Sequence, residues 1–550
     1  MPEIDFDRLT LAQVMDRTAR RFPEREAIAF RDRRLTWGTL QTLSIKLAKA
    51  LLNAGIKKGD KVGVMMTNIP EWAIARSAIM RVGAWLVPFN TRYKTHELRM
   101  LLERGEVHTL IFMASALGID FVELVNVVCP GLASHPVGCG RIQIKALPYL
   151  RNLVCLSRRD YPGIANFEQF IESGGEISDA HLFAATNALG PDDVCSLLFT
   201  AGTTGKPKGV MTTHGQFIRV FSKAAERFDL TADDVVLGAP PFFTNFGLCM
   251  GLTISEIVGA KLVAFESFDP ADILEGIKRH RITMFCGTPA MYYMLLKHIE
   301  FSREKVKSMR VGDIAGAPVT PEMIREVSDQ FGMRLFGVYG MTETSGIITF
   351  SEKGDSPELV ANTVGRNFNA GCETKIVDTG TGNDLPAGQV GEIVTRGWHL
   401  TRGYFKDPDL YAASFDSDGW FHTGDLGSMD EMGYVRFAGR LKDLIISGGM
   451  NIDPMELENF LMQMPAVESA HVVGLPDERM GEVVAAFIQI KEGSEYTAED
   501  IQSFCAGKIA KYKIPRYVAV IEDIPRTPVG KVQKFKLRER GMIEFNLVNH

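Results

Sequence analysis

Short apolar segments alternate with amphipathic helical segments from about residue 8 to about residue 350 of the 550-residue chain. Strand-like segments at 61–66, 84–88 and Val107–Met113 are separated by helical patterns such as the one at 71–82. A helix between successive strands lets both strands run in the same direction, and it covers one face of their sheet. The alternation therefore predicts an α/β fold whose parallel sheets are buried on both faces.

The next part of the chain interrupts this alternation. Leucines within 98–102 form one face of a helix that we expect Thr95 to cap and Gly105 to end. Segment 114–150 then contains prolines, cysteines and glycines in no periodic pattern, which predicts an elaborated surface segment.

The pattern of predicted helices and strands changes twice towards the C-terminus. From Gly371 the strand-like segments are short and are separated by Gly/Pro turns, which predicts a β-rich subdomain. After Arg440 a helix at 454–463, strands and a helix at 498–510 predict a small α+β unit. We therefore expect an N-terminal domain of two parallel-type α/β subdomains plus the β-rich subdomain, followed by a small α+β C-terminal domain.

Composition excludes several classes of protein. The net charge of −6 argues against a nucleic-acid partner, because phosphate backbones attract basic surfaces. The eight cysteines have irregular spacing without a CxxC pair, which disfavours both a disulfide framework and a zinc site. The acidic N-terminus has no apolar core like that of a signal peptide, and no run of about 18 apolar residues predicts an integral membrane segment. These features favour a cytoplasmic enzyme.

The strongest local pattern is a loop of glycine, threonine and lysine that follows an apolar strand near residue 200. Glycines let backbone N–H groups approach phosphate oxygens, hydroxyls add donors, and lysines add positive charge. It is not a Walker A loop, because no GK[ST] stands at the required spacing and Pro207 would break the following helix. A solvated turn is the alternative, but the density of these residue types favours a phosphate site. The candidate phosphate-binding residues are Thr200, Gly202, Thr203, Thr204, Gly205, Lys206 and Lys208.

With this loop, four further motifs occur in the order found in one family. The chain resembles the adenylate-forming enzymes over nearly its whole length, and it resembles most their acyl- and aryl-CoA synthetase branch. The motifs are YGMTET at 339–344, WFHTGDLG at 420–427, GRLKD with ISGGMNI at 439–452, and PRTPVGK at 525–531.

This resemblance implies an acid–CoA ligase that uses ATP, Mg²⁺ and coenzyme A. The carboxylic acid would first become an acyl-adenylate, with release of pyrophosphate, and the acyl group would then pass to the CoA thiol. A carboxylate is a poor electrophile, and a mixed anhydride with AMP supplies the leaving group that thioester formation needs. No protein nucleophile is required, so the residues would act by positioning and by neutralising charge.

The resemblance also assigns roles to individual residues. Glu343 would hold Mg²⁺ and Thr342 would donate to the α-phosphate, while Asp425 would accept hydrogen bonds from the ribose hydroxyls. Arg440 would reach the ribose or the phosphate, and Lys531 would be the catalytic lysine of adenylation. The adenine pocket would be formed by Tyr339, Gly340, Met341, Gly316, Ala317 and Pro318.

The same resemblance implies a mobile C-terminal domain. We expect domains 1–439 and 440–550, with a hinge near Lys442, where many acyl-CoA synthetases have aspartate. Rotation about this hinge would move Lys531 away from the adenylate and bring in a CoA-binding loop. That loop consists of Ser447, Gly448 and Gly449.

Segment 241–247 matches the acid-pocket motif of the family, with Thr244 where a histidine or an aromatic residue is usual. This departure would widen or polarise the pocket entrance. No aspartate stands there to bind an α-amino group, which disfavours amino-acid substrates. We expect a medium-chain, alicyclic or aromatic monocarboxylate. The predicted pocket wall is Phe243, Thr244, Phe246, Gly316, Met341 and Ile347.

Two alternatives remain open at this point. The chain could pass its adenylate to another acceptor, as a luciferase-like enzyme or an acyl-AMP ligase does. It could also be a non-catalytic nucleotide-binding scaffold, which the intact motifs disfavour. The resemblance implies a reversible reaction, and the context of Lys531 makes a lysine acyltransferase a candidate partner of an enzyme that is a monomer or a homodimer.

Overall fold

The protein is described here by a computed structural model. It describes residues 8–200, 207–316, 319, 321–447, 450–477, 480–491, 493–494, 496–506, 508–509, 511–526 and 532–547. The fold is α/β, with two large sheets in the N-terminal part and two smaller ones after them among the described residues. The first large sheet has the spatial order Lys208–Thr213, Val194–Thr200, Trp85–Pro88, Lys61–Met65, Val107–Met113, Asn152–Leu156 and Ala165–Asn166.

The second large sheet is parallel at its centre and antiparallel at both ends. Its central strands Val311–Ile314 and Arg334–Tyr339 pair in parallel, as the alternation of segments predicts. Parallel strands place their carboxyl ends at one edge, so the residues that follow them meet there. The spatial order is Arg366–Asn367, Thr349–Phe350, Arg334–Tyr339, Val311–Ile314, Met284–Gly287, Val235–Gly238, Lys261–Ala264, Glu26–Phe30 and Arg33–Thr36.

Helices cover both large sheets, and their ends follow local chemistry. Thr36 accepts a hydrogen bond from the Thr39 N–H at the start of one helix, and proline stands at the first turn of others. A π-helix, Gly247–Thr253, continues into Ile254–Val258. The helices of this part are Leu11–Arg21, Trp37–Asn53, Pro70–Arg81, Thr95–Arg104, Phe121–Val128, Phe167–Glu172, Asp179–Asn187, His214–Arg227, Pro270–His280, Pro289–Lys297, Arg303–Val306, Pro321–Phe331 and Pro357–Asn362.

The two smaller sheets lie where the sequence predicts β-rich and α+β units. The first consists of Glu373–Val377, Gly391–Arg396, Phe421–Met429 and Val435–Arg440, with the helix Pro408–Ala412 between its strands. The second pairs Met450–Ile452, Ile445–Ser447, Gly481–Ile490 and Val467–Asp477, and Tyr517–Val520 joins it in parallel. Its helices are Pro454–Leu461, Ala498–Cys505 and Lys534–Glu544.

Three local expectations were wrong. Thr95 is the first residue of its helix rather than the cap, which is Lys94, although Gly105 does follow the last helical residue. Segment 114–150 is more ordered than its composition suggests, because it forms a helix at Phe121–Val128 and buries several aliphatic side chains. The helix expected at 498–510 ends at Cys505, where Cys505 is fully buried and Ala506 turns to an extended conformation.

The cysteine and membrane predictions can be compared directly with the described residues. All eight cysteines are free thiols, and seven of them are buried. No helix in the described part of the chain is both long enough and apolar enough to span a bilayer.

A buried ion pair joins helices of the N-terminal part. The Arg76 guanidinium donates to the Glu256 carboxylate and, at 2.9 Å, to the Thr253 hydroxyl. Both charged side chains are at most 3% exposed, and burial raises the pKa of Glu256 while Arg76 lowers it. Thr18 in turn donates to the Glu256 carbonyl oxygen. Helices that are distant in sequence are therefore held through one polar cluster.

Removing one partner of this pair should be costly, because the other charge would stay buried without compensation. Glu256→Leu should lower the free energy of unfolding by about 3–5 kcal/mol, and the double variant Arg76→Leu/Glu256→Leu should recover much of it. Urea denaturation followed by tryptophan fluorescence measures this. Glu266→Gln, at the surface pair with Arg31, is the control and should cost less than about 1 kcal/mol. Equal losses at Glu256 and Glu266 would contradict the analysis.

Candidate active site

The predicted nucleotide residues gather at the carboxyl edge of the second large sheet. Tyr339 ends the strand Arg334–Tyr339, and Gly316 follows the neighbouring strand Val311–Ile314 by two residues. Gly316 has φ of +83°, a conformation that glycine adopts without strain. Ala317 and Pro318 lie outside the described residues. The sheet thus brings Gly316 and Tyr339 to the same edge, as the adenine-site prediction requires.

Asp425 and Arg440 face this edge from the β-rich sheet. They are register partners on adjacent strands, and Arg440 Nε lies 3.3 Å from Asp425 Oδ1. The Tyr339 hydroxyl donates to Asp425 Oδ2 over 2.9 Å, and burial together with this carboxylate raises the pKa of Tyr339. The Asp425 N–H donates to the Thr423 hydroxyl, whose proton goes to the Ile393 carbonyl. The carboxylate is therefore held in a fixed orientation beside Tyr339 and Arg440.

Glu343 lies in a short 3₁₀ helix, Thr342–Thr344, directly after Tyr339. Its carboxylate is 7% exposed and accepts a 3.0 Å hydrogen bond from the Tyr404 hydroxyl. The pKa of Tyr404 is raised, first by burial and then by the charge of Glu343. Lys208 Nζ lies 4.9 Å from the centre of the Tyr404 ring. Tyr404 thus connects the predicted metal ligand with the predicted phosphate loop.

The backbone of the YGMTET motif makes a turn that needs glycine. A Cβ on Gly340 would lie 2.2 Å from the Gly346 carbonyl oxygen, and Gly346 itself has φ of +108°. Ser345 also has positive φ, and its buried hydroxyl donates to the His399 carbonyl. Met341 and Thr342 are half-buried on this turn. The close approach of Gly340 and Gly346 fixes the direction in which Thr342 and Glu343 leave the sheet.

The predicted acid-pocket residues lie in a loop that Asn68 fixes. The Asn68 side chain donates to the Gly238 and Pro240 carbonyls and accepts from the Phe242 N–H. Phe243 and Phe246 are half-buried in this loop, whereas Ile347 is 1% exposed. The loop therefore presents its aromatic residues while its backbone is held from the other sheet.

The Thr244 hydroxyl has a local role in the structure. It donates to the Pro241 carbonyl over 2.7 Å and accepts from the Gly247 N–H over 3.1 Å. The amide of Asn245, from this loop, and the ring of Phe221, from the helix His214–Arg227, come within 3.2 Å of where a Gly346 Cβ would lie. The wall of the predicted pocket thus includes Phe221 and Asn245 as well as the residues named from sequence.

The remaining predicted residues are only partly described. Thr200 and Lys208, which flank the predicted phosphate loop in the sequence, are register partners on antiparallel strands. Lys442 lies in the 3₁₀ helix Leu441–Asp443, between strand Val435–Arg440 and the C-terminal sheet, and Ser447 is 3% exposed. The predicted site residues that lie outside the described part of the chain, besides Ala317 and Pro318, are Gly202, Thr203, Thr204, Gly205, Lys206, Gly448, Gly449 and Lys531.

Sequence reasoning missed Tyr404, Asn68, Phe221 and Asn245. Each acts through a contact with a residue far away in the chain, and none belongs to a glycine-rich or charged motif. Tyr404 follows Arg402-Gly403 in a short segment, and only its pairing with the phosphate-loop strand gives it a position next to Glu343.

Comparison with models of known protein families identifies the family of this chain. The family model described as "AMP-binding enzyme" matches residues 15–405, and the model of the AMP-binding enzyme C-terminal domain matches residues 456–531. The chain belongs to the AMP-binding enzymes.

Similar proteins within the family are acid–CoA ligases. The chain is 35% identical to the mitochondrial medium-chain acyl-CoA ligase ACSF2 of Mus musculus, over 96% of this chain and 87% of that protein. It is 34% identical to a 7a-methyl-1,5-dioxo-octahydroindenyl-propanoyl:CoA ligase of Rhodococcus jostii, over 96% of this chain and 98% of that protein. Among solved structures, the o-succinylbenzoate CoA synthetase of Bacillus subtilis with its acyl-adenylate intermediate matches with a TM-score of 0.78. That structure is 28% identical and covers 96% of this chain and 98% of its own.

The contact between Tyr404 and Glu343 gives a direct test of the site. Tyr404→Phe removes the hydroxyl that fixes the carboxylate, so kcat/KM for ATP should fall about tenfold, the usual effect of losing a hydrogen bond to a charged group. Steady-state pyrophosphate release measures this.

Tyr411→Phe is the matched control. Tyr411 packs against Tyr404 with ring centres 5.2 Å apart, but its hydroxyl donates to the Thr401 carbonyl. Similar losses of kcat/KM in both variants would mean that Tyr404 acts only through packing.

Proposed function

We propose that this AMP-binding enzyme is an ATP-dependent acid–CoA ligase whose substrate is a medium-chain, alicyclic or aromatic monocarboxylate. The observation that supports this best is the convergence of Tyr339, Glu343, Asp425 and Arg440 at one sheet edge, beside the base of the phosphate loop. The overall reaction converts carboxylic acid, ATP and CoA into acyl-CoA, AMP and pyrophosphate through an acyl-adenylate.

The first half-reaction needs the acid oxygen in line with the α-phosphate. In our proposal Asp425 accepts from the ribose hydroxyls, and the hydrogen bond from Tyr339 keeps one of its oxygens oriented. Arg440 and the phosphate-loop lysines offset the negative charge of the phosphates, and Thr342 donates to the α-phosphate. The acid then attacks, the bond from the α-phosphorus to the bridging oxygen breaks, and pyrophosphate leaves. Binding holds the reactants in contact, which is the main source of acceleration in such a transfer.

The donor set at Glu343 fits Mg²⁺. The described residues contain no group of three or more His, Cys, Asp or Glu side chains that could form a protein cage for a metal. Mg²⁺ is commonly held by one or two carboxylates together with substrate phosphates and water, and a single buried Glu343 suits that arrangement. When bound, the ion would neutralise charge on the phosphates. Glu343 would hold it, and Tyr404 would keep Glu343 in place.

In the second half-reaction, the residues that serve adenylation must move away so that the CoA thiol can reach the acyl-adenylate. We propose that domain 440–550 rotates about Lys442, so that Lys531 serves adenylation and the loop from Ser447 to Gly449 then lines the path of the CoA thiol. The thiol attacks the acyl carbon, and AMP leaves. Lys442 lies in a short 3₁₀ helix that links two sheets, a location where few dihedrals need to change.

The substrate class rests on the pocket and on the relatives. Phe221, Phe243 and Phe246 offer an apolar wall, which suits a hydrocarbon chain or ring. The relatives named above act on medium-chain and alicyclic acids. We further propose that the enzyme is cytoplasmic, that it catalyses its reaction reversibly and that it is a monomer or a homodimer. We also propose that Lys531 is a site of acylation.

A screen of acids for AMP formation, with and without CoA, tests the proposed function. Medium-chain and alicyclic acids should give AMP and acyl-CoA in equal amounts when CoA is present. Pyrophosphate release with no consumption of CoA would instead support an acyl-AMP ligase or a luciferase-like enzyme. No AMP with any acid, from protein that binds ATP, would support the scaffold alternative.

Lys531→Ala should separate the two half-reactions. We expect adenylation to fall by on the order of 10²–10³, because the lysine charge acts where negative charge builds up at the α-phosphate. Thioester formation from supplied acyl-AMP should remain near the wild-type rate. Pyrophosphate exchange and acyl-CoA formation are measured on one preparation of the variant. A near-normal rate of pyrophosphate exchange would contradict the assignment of Lys531 as the catalytic lysine of adenylation.

Lys442→Pro should block the passage between half-reactions. Proline fixes φ near −65° and removes one N–H, so the hinge would keep one orientation. Pyrophosphate exchange should survive while thioester formation from supplied acyl-AMP falls by orders of magnitude. Lys442→Ala, which leaves the backbone free, should retain both activities. If the proline variant loses both equally or keeps both, Lys442 is not the pivot.

A further inference from the structure

A buried carboxyl group near the predicted nucleotide edge has no strong hydrogen-bond partner. Asp313 lies in the strand Val311–Ile314 and is 0% exposed. Among the described residues, neither of its carboxylate oxygens accepts from an N–H or O–H group, and its one side-chain hydrogen bond is the weak one with the thiol of Cys286 on the adjacent strand. A buried polar group without a partner costs about 1–3 kcal/mol, and native proteins rarely keep one without a reason. This group is therefore a candidate to bind something that enters the fold.

The face on which Asp313 lies is the inner face of the second large sheet. Side chains alternate along a strand, and Ile314 packs with the outer helices while Val311 packs in the core between the two large sheets. Asp313 shares the face of Val311. Its register partners on the neighbouring strands, Cys286 and Phe336, belong to that same inner core. The carboxyl group thus points between the sheets.

The predicted acid pocket occupies the same layer. Phe221 and Leu248, from the helix and π-helix that face this sheet, belong to the inner core that contains Cys286 and Phe336. Asp313 precedes Gly316 by three residues, which is roughly 10 Å along an extended chain. An acid whose carboxylate reacts at the Gly316 edge and whose body extends inwards would bring its far end to Asp313.

The protonation state decides what Asp313 can do. Burial raises its pKa to about 8, so the group is neutral at physiological pH and can donate its proton in a hydrogen bond. The titratable groups beside it are Cys286 and Tyr292, and burial raises the pKa of both, so they stay neutral as well. The Tyr292 hydroxyl donates to the backbone carbonyls of Phe285 and Asp313, so it is not available to the side chain.

We infer that Asp313 is a substrate-recognition residue whose carboxyl group donates a hydrogen bond to a carbonyl or hydroxyl oxygen at the far end of the acid. The substrate class is then an oxo or hydroxy acid with an apolar body of medium length. This inference rests on the proposed function, because it needs the acid to bind between the sheets.

The test compares two acids that differ by one oxygen: 3-(4-oxocyclohexyl)propanoate and 3-cyclohexylpropanoate. The wild type should prefer the oxo acid in kcat/KM, measured as CoA-dependent AMP release. Asp313→Leu should lower that preference on the order of tenfold to a hundredfold, because the oxo acid loses a hydrogen bond and the apolar acid does not. Asp313→Asn should keep most of it, because the amide still donates. Val311→Ala, on the same face of the same strand, is the packing control and should leave the ratio unchanged.

A pH profile of the wild type adds a measurement that needs no variant. The carboxyl group holds its proton below its pKa and loses it above, so the preference for the oxo acid should decline as pH rises through about 8. A wild type that uses both acids equally, or an Asp313→Leu variant with an unchanged ratio, would overturn the inference and leave the ligase standing. Absence of CoA-dependent AMP release with every acid would overturn the proposed function itself. If Asp313→Leu does not fold, the asparagine variant and the pH profile decide.

Discussion

The site depends on a backbone pairing between the segment at 402–405 and the strand Lys208–Thr213. The Met211 N–H donates to the Gly403 carbonyl, the Phe405 N–H to Gly209 and the Arg402 N–H to Met211. These bonds join the region that leads into the β-rich sheet to the edge of the first large sheet. Through them Tyr404 comes to lie between Glu343 and Lys208, so a carboxylate and a lysine stand close together without a direct ion pair between them.

That separation has a chemical purpose in our proposal. A direct ion pair would neutralise both groups before any phosphate arrives, whereas a tyrosine between them fixes Glu343 with a neutral donor and leaves charge for the ligand. Asp425 is treated differently. It already contacts Arg440 and accepts from Tyr339, so its orientation is set in advance and little reorganisation is needed when a ribose binds.

The interior between the two large sheets contains buried acidic side chains in two different settings. Arg76 and Glu256 are buried there as an ion pair that links two helices, although Arg76 Nε has no hydrogen-bond partner among the described residues. Asp313 is equally buried, but among the described residues its carboxyl group has only the weak hydrogen bond with the Cys286 thiol. In our proposal the difference lies in position, since Asp313 precedes Gly316 by three residues and its carboxyl group would act on the acid substrate at a cost in stability.

The sequence alone determined the class of fold and the order of the motifs, because strand and helix periods and glycine-rich loops are local properties of the chain. It also identified the residues whose chemistry is specific, such as Asp425 within WFHTGDLG and Glu343 within YGMTET. It misjudged local details such as the capping of the helix at Thr95–Arg104, where neighbouring residues compete for the same role. Tertiary structure alone decided that Tyr404 meets Glu343 across 61 residues and that Tyr339 meets Asp425 across 86. It also decided which groups surround the buried Asp313, because sheet topology sets such contacts and no local pattern records them.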